Sequence, residues 1–276
     1  MEWFADFARV SFGGIETIFD VSSVFCEFNI GDKFFSIKWY GVIIAFGFTL
    51  AALFGGRIAY TWRINLSKMV DVLIYGTFGG IIGARAYYVI FQWDYYSQNP
   101  AEIFQIWNGG LAIYGGIIAG AATVFVVSKI KKIDFLALAD CVAPGVLLAQ
   151  GIGRWGNFMN GEAFGAETES FLRMGIQNIV SKYIFGTSEM VYVHPTFLYE
   201  SLWNLLGVLL VYLYGRYLKK KYDGELFIMT FGWYGLGRMF IEGLRMDSLY
   251  TVVYTYIRYN RYVRSQAEEV PSADRG

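Results

Sequence analysis

Arg85, Arg154, Arg238 and Arg245 stand in stretches of chain that are otherwise almost free of charge. A charged side chain inside a long apolar run is costly to bury and is a functional candidate by default. Arginine presents a planar fork of donors, stays protonated, and matches phosphate oxygens in pairs. Tyr234, Arg238, Glu242 and Arg245 are spaced i, i+4, i+8 and i+11, which on a 3.6-residue helix makes one stripe. An Arg–Glu ladder that locks helices together is the plain alternative for Glu242 and Arg245. The segment GIGRWGNFMNGEAFG (151–165) follows Arg154 with Asn157, Asn160 and Glu162. Both asparagines can donate and accept hydrogen bonds. The glycines, Gly165 among them, let the backbone leave helical geometry and let a ligand approach closely. A glycine-capped helix end accounts for the glycines but not for Arg154 with Asn157 three residues on.

The elements that must carry these residues follow from composition. Hydrophobic residues make up 55% of the 276-residue chain, aromatics 19% and charged residues 17%, and mean hydropathy is +0.39. Soluble domains carry about 25% charged residues, so an ordinary soluble enzyme is disfavoured. A disordered chain is excluded by the aromatic content. The net charge of +0 gives no global field for nucleic acid. Cys26 and Cys141 alone supply neither a disulfide framework nor a zinc site, and no metal is expected. A polytopic membrane protein remains.

A spanning helix needs roughly 20 mostly apolar residues. Six charge-poor runs qualify, at 38–57, 73–93, 103–128, 135–157, 193–215 and 226–245. The expected fold is therefore all-α, with six clear transmembrane helices. The aromatic stretch 249–263 is a weak seventh span or an interfacial helix. Residues 1–250 are read as a single transmembrane domain, with 1–36 as an outward N-terminal segment and 161–190 as an outward loop. Residues 251–276 form a tail. Lys and Arg concentrate after the first, third and fifth runs, which places those loops in the cytoplasm and the N-terminus outside. The start lacks the basic region of a cleaved signal peptide, so the first span directs insertion.

With a rise of 1.5 Å per residue, depth can be assigned. Arg85, Arg154, Arg238, Glu242 and Arg245 fall in the outer half of the bilayer, with Tyr40 and His194 at outer helix ends. Tyr114 lies about 11 residues into the third run, near mid-membrane. A cationic pocket at that outer depth suits an anionic lipid headgroup.

These residues also lie in motifs. WYG (39–41), GARAYYVIF (83–91), NGGLAIYGG (108–116), GRWGNFMNGEAFG (153–165), HPTFLYE (194–200) and YGLGRMFIEGLRMD (234–247) occur in order. Over about residues 35–250 the chain resembles the bacterial prolipoprotein diacylglyceryl transferases. The resemblance implies transfer of the diacylglyceryl group of phosphatidylglycerol to the lipobox cysteine thiol of prolipoproteins. A thioether forms and glycerol phosphate leaves, with no cofactor, at the outer face of the bacterial plasma membrane. It implies phosphatidylglycerol binding by Arg154 and headgroup or leaving-group stabilisation by Arg238. Tyr40, Asn157, Glu162, Gly165, Tyr234 and Glu242 match other positions implicated in function. Arg85, Asn160 and Arg245 join the expected substrate-binding set.

Tyr114 stands where many family members carry histidine and others tyrosine. An unperturbed tyrosine, with a pKa near 10, is a poor base at neutral pH. His194 is the only histidine and has an unperturbed pKa near 6.5. Both are candidates for the proton transfer, and a structural helix-start contact is the alternative for His194. Two other functions stand beside the transferase: an anion or anionic-lipid transporter, and an inactive lipid-binding homologue. A transporter should show paired repeats and broken helices about a midplane site, and the sequence shows no such pairing.

Overall fold

The computed structural model describes residues 7–13, 18–31, 33–106, 109–218 and 220–245. The expected tail and the stretch 249–263 lie outside the described residues. The chain runs β1 (Phe7–Phe12), β2 (Phe19–Ser22), β3 (Val24–Ile30), β4 (Lys33–Lys38), α1 (Trp39–Thr61), α2 (Leu66–Phe91), α3 (Trp93–Tyr96), α4 (Ile113–Ile130) and α5 (Phe135–Met159). It continues through β5 (Met174–Gln177), α6 (Ile179–Phe185), β6 (Val191–Val193), α7 (Thr196–Leu213), a π-helical turn (Tyr214–Leu218) and α8 (Glu225–Glu242). Two compact units emerge. One gathers described residues within 1–49, 147–209 and 231–276, the other those within 50–146 and 210–230.

Among the described residues, five helical stretches are long and apolar enough to cross a membrane: Trp39–Thr61, Leu66–Phe91, Ile113–Ile130, Phe135–Met159 and Thr196–Leu218. The sixth expected run does form a helix, α8, but Glu225, Arg238 and Glu242 put three charges in its 18 residues. The protein is thus mostly helical and polytopic, and the all-α expectation is corrected by six strands among the described residues. Charge-free runs report spanning helices, whereas a short half-buried strand announces itself only by alternation. In β1, Ala8 and Val10 are buried and Arg9 between them is exposed; in β6, Val191 and Val193 are buried and Tyr192 is exposed.

In the first unit, β1 and β2 of the N-terminal segment, β5 of the 161–190 segment and β6 just after it make one antiparallel sheet in the order β2-β1-β5-β6. Val10 pairs with Ile176, and Met174 with Val193. The expected outward loop is therefore structured. Its buried face, with Phe164 and Phe197, forms one apolar core. β3 and β4 form a separate hairpin that turns through Gly31, at φ +60°, and leads directly into α1. The start of α1 lies against α5: an added Cβ at Gly156 would sit 2.8 Å from the ring of Tyr40. α7 and α8 are joined by two stacked indoles. Trp203 Nε1 donates to the Trp233 carbonyl and Trp233 Nε1 donates to the Trp203 carbonyl, each at 2.9 Å. Each indole lies on a glycine of the opposite helix, Trp203 on Gly237 and Trp233 on Gly207.

In the second unit, α2 and α4 pack through small residues. Gly76, Gly79 and Gly83 face Val124, Thr123 and Ala119, and Gly80 lies beside Gly116 and Gly120. Small side chains let two apolar helices approach closely where lipid supplies no hydrophobic drive. Ile58, Met69, Val72, Leu138 and Cys141 form the core there. The third expected run began at residue 103, but α4 begins at Ile113. Pro100–Phe104 is a 3-10 turn, and Gly109 and Gly110 have φ of +87° and +75°. Arg85 explains why the backbone bends there. Its guanidinium donates to the carbonyls of Glu102, Ile103, Gly109 and Gly110 at 2.7–2.8 Å.

Candidate active site

α5, α8 and the turn after α8 bring three arginines of the first unit to one carboxylate on α7. Glu200, in the second turn of α7, has a side chain only 4% exposed. Arg154, from α5, reaches its Oε2 at 2.6 Å. Arg245 reaches its Oε1 at 2.6 Å, and Arg238, from α8, approaches Oε2 at 3.6 Å. Arg238 also pairs with Glu242 one turn on. Among the described residues, three guanidinium groups thus meet around Glu200, and Glu242 joins them through Arg238. A buried carboxylate is tolerated as an ion only when its lone pairs are satisfied this way.

The arginines differ in access. Arg245 is 8% exposed at its side chain, against 20% for Arg154 and 31% for Arg238. Arg245 is therefore held within the protein, while Arg154 and Arg238 keep donor surface for a ligand. The expected single helical stripe is corrected in one respect. α8 ends at Glu242, and Arg245 follows a turn at Gly243 and Leu244. Its backbone bridges to Gly165 instead.

That bridge explains Gly165. Gly165 donates to the His194 carbonyl, and Ala166 donates to the Leu244 carbonyl. A Cβ on Gly165 would lie 2.7 Å from both the His194 Cβ and the Leu244 carbonyl oxygen. Backbone from three parts of the chain meets here with no room for a side chain.

The asparagines serve the end of α5. The helix closes with Gly161 donating to Phe158 and Glu162 donating to Asn157, with Gly161 at φ +61°. This is the paired C-terminal closure that glycine favours. Beyond it, the side-chain amides of Asn157 and Asn160 both donate to Glu162 Oε1, at 3.2 and 3.1 Å. The glycine cap and the polar cluster are thus one structure. Asn178 clamps the same turn by donating to the Gly161 carbonyl, and Thr196 by donating to that of Ala163.

His194 precedes α7, and its Nδ1 lies 3.4 Å from the Tyr199 hydroxyl. Tyr40 packs on Gly156 with its side chain partly exposed. Tyr234 is half-buried on α8, one turn before Arg238. Arg85 and Tyr114 belong to the second unit. There Arg85 is 7% exposed, bonded to four carbonyls and stacked over the Tyr96 ring. Tyr114 lies in the first turn of α4 and is exposed, not at mid-helix as a run starting at residue 103 required. Glu200 was not among the expected site residues, although an acid inside an apolar run was a visible signal. Among the described residues no group of His, Cys, Asp and Glu could hold a metal ion.

The fold and site define a polytopic membrane protein with a cluster of arginines around one buried carboxylate. The family model for prolipoprotein diacylglyceryl transferase matches residues 27–263. A phosphatidylglycerol–prolipoprotein diacylglyceryl transferase of Listeria welshimeri is 48% identical over 216 residues, covering 78% of this chain and 76% of the relative. One from Staphylococcus aureus RF122 is 44% identical over 224 residues, covering 80% and 78%. The chain belongs to the prolipoprotein diacylglyceryl transferase family.

Proposed function

We infer that the protein transfers the diacylglyceryl group of phosphatidylglycerol to the cysteine thiol of a prolipoprotein. The observation that carries the chemistry is the convergence of Arg154, Arg238 and Arg245 on Glu200, with Arg154 and Arg238 still partly exposed. The relatives' names identify the two substrates. The thiol sulfur forms a bond to the lipid glycerol carbon that carries the phosphate, and the C–O bond to that phosphate breaks. The electron pair stays on the phosphate oxygen, and glycerol phosphate leaves. Negative charge grows at that oxygen in the transition state. Preorganised guanidinium groups stabilise it there without reorganisation. Arg154 and Arg238 take this role, and Arg245 holds Glu200 so that both remain oriented. The thiol proton must leave for sulfur to attack as thiolate. His194 and Tyr114 are the candidate acceptors, and His194→Gln against Tyr114→Phe in a pH–rate profile decides between them.

In this reading α8 is the sixth crossing, the N-terminus is outside, and the cluster lies toward the outer leaflet of the bacterial plasma membrane. Residues 1–250 act as one catalytic domain. Asn157, Asn160, Glu162, Gly165, Tyr40, Tyr234 and Glu242 build or border the lipid pocket, and Arg85 serves the second unit by holding the backbone before α4. A lipobox peptide incubated with the protein in phosphatidylglycerol vesicles tests the function by mass. Wild type should add a diacylglyceryl mass, and Arg154→Ala and Arg238→Ala should lose it while remaining folded. An unmodified peptide with folded wild type would sink the transferase reading in favour of lipid binding or transport.

A further inference from the structure

The acids at one end of the second unit are all engaged, and Arg57, Arg63 and Arg216 there have no carboxylate partner among the described residues. Asp71 binds Lys131 at 2.5 Å. Asp140, fully buried, accepts from Lys220 and from the backbone of Gly224 and Phe227. Asp223 binds Lys220, and Glu225 accepts from the Tyr214 hydroxyl and the Lys221 backbone. Arg57 and Arg216 are exposed, and among the described residues neither is paired with a carboxylate.

These two arginines line one cavity. Its volume is about 160 Å³, and its walls include Phe54, Trp62, Tyr212 and Leu226. Roughly 150 Å³ is enough to hold a benzene ring in an engineered protein cavity. Arg57 lies in the last turns of α1, and Arg216 lies in the π-helical turn that ends the Thr196–Leu218 stretch. Both therefore stand at the ends of apolar, membrane-length helices. Short π-helical turns recur at functional sites. Lys220, already paired, adds charge nearby, with its Nζ 4.4 Å from the Trp62 ring centre. Two forked cations, an aromatic wall and an apolar floor at helix ends match a phosphate attached to something greasy. Basic pockets between transmembrane helices on the cytoplasmic side are the usual seats of anionic lipid headgroups.

We propose that Arg57 and Arg216 form a second phosphate-binding site, within the second unit, for the headgroup of an anionic phospholipid. Its residues are disjoint from the arginine cluster on Glu200. Nothing reacts there; bound lipid acts as a structural ligand that stabilises the state it binds. The chemistry alone also admits a free phosphate, and the test separates the two.

Full-length protein in maltoside micelles is titrated with dioleoyl phosphatidic acid, with dioleoyl phosphatidylcholine, and separately with inorganic phosphate. Bound lipid is counted by native mass spectrometry, and melting temperature is followed in parallel. Wild type should bind phosphatidic acid about tenfold more tightly than R57Q/R216Q, with no such difference for phosphatidylcholine. R154A/R238A should retain the Arg57-dependent binding. A matching arginine-dependent rise in melting temperature with inorganic phosphate alone would assign the site to free phosphate and keep the phosphate chemistry. Equal affinity of wild type and R57Q/R216Q for every probe overturns the proposal. Should the double variant not fold, R216Q alone serves, because Arg216 is exposed at a helix end. About threefold weaker binding is then expected, and unchanged binding is again fatal.

Discussion

Glu200 gains its importance from what it prevents. Without its carboxylate, Arg154, Arg238 and Arg245 would lose the acid that all three share, and like charges would push them apart. Removing one partner of a buried ion pair typically costs about 3–5 kcal/mol. Glu200→Gln is therefore expected to lower the melting temperature in micelles by several degrees and to abolish lipid transfer. Glu200→Asp, which keeps the charge on a shorter arm, should recover part of the stability. A Gln variant with unchanged melting temperature and turnover would mean that the cluster is organised by something else. Gly165 is a steric case. Alanine there drives a Cβ into the His194 Cβ and the Leu244 carbonyl, so about 1–3 kcal/mol of destabilisation is expected. Denaturant titration of Gly165→Ala checks it. At this scale the sequence was most informative about arginine. Depth arithmetic places Arg154 and Arg238 at similar levels because an isolated charge in an apolar run has few places to go. It could not show that their shared partner is Glu200. Which face of α7 meets which face of α5 is set by packing and not by spacing.

Elements hold those residues in register, and the joint between α7 and α8 matters most because Glu200 and Arg238 lie on it. Trp203 is three residues beyond Glu200, and Trp233 is five before Arg238. Each indole N–H is bonded to the other helix's backbone, and each ring rests on the other helix's glycine. Trp203→Phe and Trp233→Phe each remove one hydrogen bond, about 1 kcal/mol. The double variant should cost less than the two singles together, since the stacked pair acts as a unit. A thermal-unfolding cycle on the four proteins measures that coupling; strict additivity would show two independent contacts. Arg85 is the corresponding joint of the second unit. Arg85→Lys keeps the charge but cannot reach four carbonyls, so the backbone at Glu102, Ile103, Gly109 and Gly110 should loosen. Faster amide exchange there, with little change in α2, is the expected result. The six apolar runs were legible because lipid demands long charge-poor helices. The strands were not, because three to seven residues of alternation look like ordinary loop. The start of α4 was misplaced for a related reason. Residues 103–112 are apolar enough to continue a span, and only the inward-turned carbonyls that Arg85 collects explain the break.

For the whole molecule, charge asymmetry sets the expected orientation. Lys and Arg cluster at 57–68, 129–132 and 216–221, while the segments between the other helix ends carry few. Basic loops stay in the cytoplasm. The N-terminal strands should then be outside and the α1–α2 turn inside. The two native cysteines make this directly measurable. Cys26, in β3, is partly exposed, and Cys141, in α5, is fully buried. A membrane-impermeant maleimide added to intact spheroplasts should label Cys26 and leave Cys141 untouched. In a Cys26→Ser background, Ser67→Cys at the exposed start of α2 should label only after the membrane is permeabilised. The reverse pattern would put the sheet and the arginine cluster's loops in the cytoplasm. A prolipoprotein thiol would then have to be modified before export, and an outer-leaflet headgroup could not be the lipid that Arg154 and Arg238 bind. Labelling thus decides which leaflet supplies the substrate, independently of any turnover assay. It also tests the second phosphate site, since Arg57 precedes the same α1–α2 turn and must share its side of the membrane.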